Sequence, residues 1–132
     1  MKTVALTEEA IDGLLAGIKY AKRANHRVLL AVIGDNEGGL VMASAEALNL
    51  FFAMREPRRE GALYVYHAFY EDGCARKEAF DRAEKLVKSV VYVPYHESEK
   101  VLGRTFDASV IDLVNNLELN DVGRLMGVLE GG

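Results

Sequence analysis

The sequence predicts an α/β fold, a Rossmann-like doubly wound sandwich built on a mainly parallel sheet of four strands. Three observations carry this expectation. Amphipathic helical patterns alternate with short apolar runs along the chain, the links between them are short, and the first run, Val28-Leu29-Leu30-Ala31-Val32-Ile33, is apolar without alternation. A strand with no polar face is buried on both sides, as in a parallel sheet covered by helices. Regular alternation of helix and strand then selects a doubly wound arrangement over an all-α or all-β one.

The elements follow in order. Thr7 with Glu8 and Glu9 behind it supplies a hydroxyl N-cap and carboxylates at the positive end of a helix dipole. Ile11, Leu14, Leu15 and Ile18 continue it as one apolar stripe. After the strand at 28–33, residues 40–54, rich in Ala, Leu and Phe, predict a second helix, and 63–67 a short second strand. Residues 74–88 predict a third helix with Ala79, Phe80, Ala83 and Val87 inward. The third strand, 90–93, stops at Pro94, which has no N–H to continue a ladder. Residues 98–103 read as a short helix or turn, and 107–113 as the fourth strand. Asn120 can cap a last helix whose stripe is Val122, Leu125, Met126 and Leu129, with Gly131 terminating it. Gly123 and Gly127 on that helix permit close approach to the sheet or, alternatively, to another domain. A Rossmann-like order places the first strand beside the fourth, with the ligand crevice between them beyond their carboxyl ends. The fourth strand, 108–113, should then pair with the first.

A chain of 132 residues is read as one α/β domain. No apolar run approaches the ~20 residues that span a bilayer, and residues 1–9 lack a signal-peptide core, so a cytoplasmic location is expected. Cys74 is the only cysteine, which leaves no internal disulfide or thiolate cluster and suggests a structural thiol. The formal charge is −4; residues 1–60 hold eight Lys and Arg against eight Asp and Glu, and residues 61–132 eight against twelve. This balance argues against a strong stand-alone nucleic-acid binder, whose affinity would rest on phosphate neutralisation.

The loop after the first strand, Gly34-Asp35-Asn36-Glu37-Gly38-Gly39, has the outer glycine spacing of a phosphate-binding loop. Its chemistry does not match. Leu40 and Val41 stand where a lysine and a magnesium-binding hydroxyl are required, and Asp35 and Glu37 would repel phosphate. Asp35, Asn36 and Asp112 form the expected rim of the switch point, where a weak cation site or plain loop-organising carboxylates are both open readings. Val110-Ile111-Asp112 has the form of a magnesium-coordinating strand end, but apolar strands commonly end in Asp. His26, His67 and His96 lie on separate elements without the spacing of a helical zinc site. The serines show no nucleophile elbow, and no catalytic residue is assigned. Tyr64, Tyr66, Tyr70, Tyr92 and Tyr95 gather around the second and third strands and read as packing. Lys19, Lys22, Arg23 and His26, with Arg27 adjoining, make a basic helix end that either offsets the helix dipole or contacts RNA phosphates. Arg55, Arg58 and Arg59 give a second basic cluster in a loop.

One further pattern is more specific. Leu102-Gly103-Arg104-Thr105-Phe106 enters the fourth strand, Asn120-Asp121-Val122-Gly123-Arg124 opens the last helix, and Glu130-Gly131-Gly132 closes the chain. Together with Asn25-His26-Arg27 and Gly34-Asp35 around the first strand, these resemble the N-terminal domain of archaeal tRNA(Met) cytidine acetyltransferases. In that family the domain precedes an ATP-driven RNA helicase module and an acetyltransferase module, and the closing glycines run into another hydrophobic strand. The resemblance thus implies a fifth strand beyond the C-terminus that would pair with the free side of the fourth; cut at Gly132, that side would be an open edge inviting self-association. The resemblance implies that this chain is a non-catalytic domain of an RNA cytidine N4-acetyltransferase, with helicase and acetyltransferase modules and tRNA as its partners. Acetyl-CoA and ATP with Mg are implied for the intact enzyme and none for this chain. RNA contact would fall to Lys19, Lys22, Arg23 and Arg27. The alternative is a free-standing Rossmann-like module that binds a small ligand or regulates.

Overall fold

A computed structural model describes residues 8–24, 37–54, 61–83, 90–114 and Val128. Helices α1 (Glu8–Ala24) and α2 (Glu37–Met54) lead to strand β1 (Ala62–Tyr66). Helix α3 (Glu71–Ala83), strand β2 (Val90–Pro94), a 3-10 helix (Tyr95–Val101) and strand β3 (Ala108–Ile111) follow. The α/β class and the parallel sheet expected from the sequence are present. The run at 28–33, the loop residues Asp35 and Asn36, Arg27, the Arg55, Arg58 and Arg59 cluster, and the stripe expected at Val122, Leu125, Met126 and Leu129 lie outside the described residues.

The strands form a three-stranded parallel sheet in the order β2-β1-β3. This corrects the expected order. Strand 108–111 pairs directly with 62–65, in the register Ala62 to Ala108 through Val65 to Ile111, so no first strand lies between them. The expected pairing of the fourth strand with the first on one side and a fifth on the other is therefore excluded, because β1 occupies one side. The reason is visible at both ends of the pair. At the start, Asp107 Oδ2 accepts the Gly61 N–H at 3.1 Å while the Asp107 N–H donates to the Gly61 carbonyl at 2.8 Å. Beyond the end, the Asp112 N–H donates to the Val65 carbonyl at 3.0 Å. Gly61 enters this clamp with φ of 86°, a conformation that favours glycine.

Alternation along the strands divides two cores. Ala62 and Tyr64, with Val90, Tyr92, Ala108 and Val110, face α2 and α3 and meet Val41, Ala45, Leu48, Phe52 and Phe80. Leu63 and Val65, with Val91, Val93 and Ile111, face the other way and meet Val101, Phe106 and Val128. The Val128 carbonyl also accepts the Phe106 N–H at 2.8 Å, which ties the end of the chain to the strand entry. Because β1 is buried on both faces, its apolar character is continuous, as expected for a central parallel strand.

Three elements begin three residues earlier than the apolar periodicity suggests. α2 takes in Glu37, Gly38 and Gly39, α3 takes in Glu71, Asp72 and Gly73, and the 3-10 helix starts at Tyr95. For α3, the carboxylates of Glu71 and Asp72 in the first turn favour helical extension toward the N-terminus, an effect that hydrophobic spacing does not register.

Candidate functional site

In an open parallel sheet, the segments leaving the carboxyl ends of the strands form the face where ligands are bound. Here that edge consists of residues 67–70 after β1, 95–96 after β2 and 112–114 after β3. Its centre is a buried ion pair. Arg76 on α3 points back to the end of β3 and engages Asp112 twice, Nε to Oδ2 at 2.7 Å and one terminal nitrogen to Oδ1 at 3.3 Å. The other terminal nitrogen donates to Asp72 one turn earlier on α3 at 2.7 Å. Both Arg76 and Asp112 side chains are only 4% exposed. Burial alone lowers the pKa of the guanidinium, but the hydrogen bonds and charges of Asp112 and Asp72 outweigh it and hold Arg76 above its ordinary value.

The Asp112 carboxylate also organises the loop, because Oδ1 accepts the Val114 N–H at 3.0 Å. Its backbone carbonyl accepts the Tyr95 hydroxyl at 2.8 Å, which joins the 3-10 helix to the end of β3. Deeper in the sheet, burial first and the Asp112 charge second push the Tyr64 phenol above its ordinary value.

Rings line the same edge. His67 stacks on Tyr95 with centroids 4.1 Å apart, and Tyr70 meets His67 edge-on at 5.8 Å. Phe69 packs on His96 at 4.6 Å. Cys74, half-buried on α3, donates its thiol to the Ala68 carbonyl at 3.4 Å. On the 3-10 helix Glu97 is bonded to Lys100 and lies 3.7 Å from His96; the lysine hydrogen bond holds its carboxyl below the usual range.

Asp112, one of the switch-point residues singled out in the sequence, stands at this edge with its carboxylate engaged by Arg76 and Val114; Asp35 and Asn36 lie outside the described residues. Lys19 and Arg23 are exposed near the C-terminal end of α1, a helix that packs on α2. Lys22 belongs to the same helix, and Arg27 lies outside the described residues. Val41, opposite the hydroxyl of a phosphate-binding loop, is buried in the core. Among the described residues no group of three His, Cys, Asp or Glu side chains is placed to hold a metal ion, and no helix is long and apolar enough to cross a membrane.

Sequence reasoning missed Arg76 and Phe69, and it read Tyr70 and Tyr95 only as packing and His67 and His96 only as histidines on separate elements. The signal for Arg76 was present: it falls three and four residues before Ala79 and Phe80, on the inward face of α3, where a charged side chain requires a buried partner. For Phe69 and His96 there was none, since their contact joins segments following different strands.

The strand entry at 102–106 is now also defined. Gly103 turns the chain with φ of 91°, Phe106 is fully buried, and the Arg104 guanidinium lies over its ring at 5.2 Å. This is the segment on which the family resemblance rests most heavily. The family described as tRNA(Met) cytidine acetyltransferase TmcA, N-terminal, matches residues 1–132. The chain belongs to this family. It is 46% identical to the tRNA(Met) cytidine acetyltransferase TmcA of Thermofilum pendens over 94% of its own length and 15% of that protein's. The TmcA of Pyrococcus furiosus is 34% identical and that of Methanopyrus kandleri 30%, each over 81% of this chain and 15% and 14% of those proteins respectively. The chain thus spans about 15% of the length of the curated relatives it matches and corresponds to their N-terminal region. No solved structure matches it.

Proposed function

We propose that the chain serves as a non-catalytic domain of an RNA cytidine N4-acetyltransferase that acts on tRNA, where it scaffolds the helicase module and contacts RNA through Lys19, Lys22, Arg23 and Arg27. The observation that carries this reading is the match of the entire chain to an N-terminal domain occupying about 15% of the acetyltransferase relatives. The acetyl-CoA and ATP-Mg chemistry of the parent belongs, on this reading, to its other modules.

The residues of this chain do not suit a nucleoside triphosphate. Val41 is packed into the core, and Gly38 and Gly39 lie in the first turn of α2 behind the carboxylate-bearing Glu37. The Asp112 oxygens are spent on Arg76 and the Val114 N–H. A carboxylate so engaged fixes the end of β3 and would have to surrender a buried guanidinium to bind a cation.

The test uses the full-length parent with acetyl-CoA, ATP and a tRNA(Met) transcript. Replacing Lys19, Lys22 and Arg23 by Ala should weaken tRNA binding and flatten its dependence on salt, as loss of phosphate contacts requires, while leaving basal ATP hydrolysis unchanged. The isolated chain should neither acetylate the transcript nor hydrolyse ATP. An unaltered salt slope would assign the basic residues to the helix end alone, and acetylation by the isolated chain would overturn the non-catalytic reading.

A further inference from the structure

Several large apolar side chains exposed among the described residues gather at one place. Phe69, 81% exposed, and Tyr70 follow β1, while Leu113 and Val114 follow β3. The ring of His96, just past β2, packs on Phe69. Single exposed apolar side chains are normal on a protein surface, but a concentration of them on one edge marks an interaction site. Tyr70 is braced through His67, which it meets edge-on, since His67 is stacked on Tyr95 and Tyr95 is bonded to the Asp112 carbonyl. Side chains already fixed lose little entropy on binding.

The charge around these rings selects the partner. Glu71 adjoins Tyr70 at the start of α3, Asp72 follows, and Glu97 lies beside His96. Among the described residues the carboxylates outnumber the cations here: Arg76 lies between Asp72 and Asp112, Lys100 is bonded to Glu97, and Glu71 adds a further negative charge, so the edge keeps a net negative balance. Lys77 lies over the Tyr66 and Tyr92 rings on the α3 face of the sheet. Exposed rings can stack nucleobases, but the carboxylates beside them would repel the phosphates that follow each base. Ring faces flanked by carboxylates instead suit Arg and Lys, which lie over aromatic faces while their charge meets a carboxylate.

We propose that the carboxyl edge of the sheet docks a basic, Arg- and Lys-bearing protein surface belonging to the remainder of the parent enzyme, with Phe69 and Tyr70 as its apolar anchors. The proposal rests on the reading of the chain as one domain of a longer acetyltransferase and names the surface through which it scaffolds the other modules. Aromatic anchors at the centre with a charged rim are the usual anatomy of such a contact.

Hydrogen exchange and carbodiimide cross-linking of the full-length protein test it. Residues 67–70 and 112–114 should exchange at least tenfold more slowly in the wild type than in Phe69→Asp, and Glu71 or Glu97 should cross-link to lysines beyond residue 132. The double variant Glu71→Gln with Glu97→Gln, which keeps the rings, should lose the cross-links and part of the protection. Equal exchange in wild type and Phe69→Asp, with cross-links confined to residues 1–132, would overturn the docking surface. So would protection that develops only when the tRNA transcript is added, since the rings would then serve RNA. Acetylation assays on the same preparation separate the two levels. An active enzyme with an unprotected edge sinks this proposal alone, and a protected edge in a protein that does not acetylate RNA sinks the functional reading alone.

Discussion

Arg76 illustrates how one side chain can hold several elements together. It sits on α3, binds the end of β3 through Asp112, and reaches Asp72 of its own helix through its other terminal nitrogen. Removing one partner of a buried pair leaves the other charge unpaired, so Arg76→Ala should cost roughly 3–5 kcal/mol, measured by urea denaturation. Arg76→Lys should recover only part of this, because an ammonium cannot reproduce the two-pronged contact with a carboxylate. A full recovery by lysine would show that only the charge matters. Tyr64 gives a second prediction, at alkaline pH. Its phenol is raised above the ordinary value of about 10, first by burial and then by the Asp112 charge. The folded state therefore favours the neutral phenol; this contribution is complete below about pH 10 and is lost as pH rises through the unfolded value toward the folded one. Tyr64→Phe should flatten the loss of stability above pH 10, followed by chemical denaturation across that range. An unchanged slope would mean that Tyr64 ionises freely in the folded chain.

At the scale of elements, the helical stripe of α1 and the inward Ala79, Phe80 and Ala83 of α3 were legible in the sequence because period and burial are local properties of the chain. Phe80 is fully buried between α2 and the sheet, so Phe80→Ala should destabilise by roughly 3–5 kcal/mol by the same denaturation measurement. The turns were less legible. Gly103 and Gly61 both have positive φ, but only Gly61 is buried and clamped to Asp107. A side chain added at Gly103 meets nothing within 4 Å, so Gly103→Ala should cost only the backbone strain, about 1–2 kcal/mol. Gly103→Asn should cost less, since asparagine tolerates this region better. A loss well above 2 kcal/mol for Gly103→Ala would mean that the turn packs against something else.

For the molecule as a whole, the order β2-β1-β3 makes β1 the central strand, with ladders on both sides and a core on both faces. Amides of Ala62–Tyr66 should accordingly be among the last to exchange with solvent, and those of β2 should exchange sooner. Exchange of β1 as fast as β2 would contradict the order. The sequence by itself determined the α/β class, the positions and inward faces of most elements, and the family, because hydrophobic period, caps and short motifs are written in neighbouring residues. Only the tertiary structure decided which strand lies beside which, that Asp112 belongs to Arg76, 36 residues away, and that Phe69 meets His96 on one edge. Those contacts arise when distant segments close on one another. The clamp of Asp107 on Gly61 and the reach of Arg76 fix that closure, and neither leaves a periodic trace along the chain.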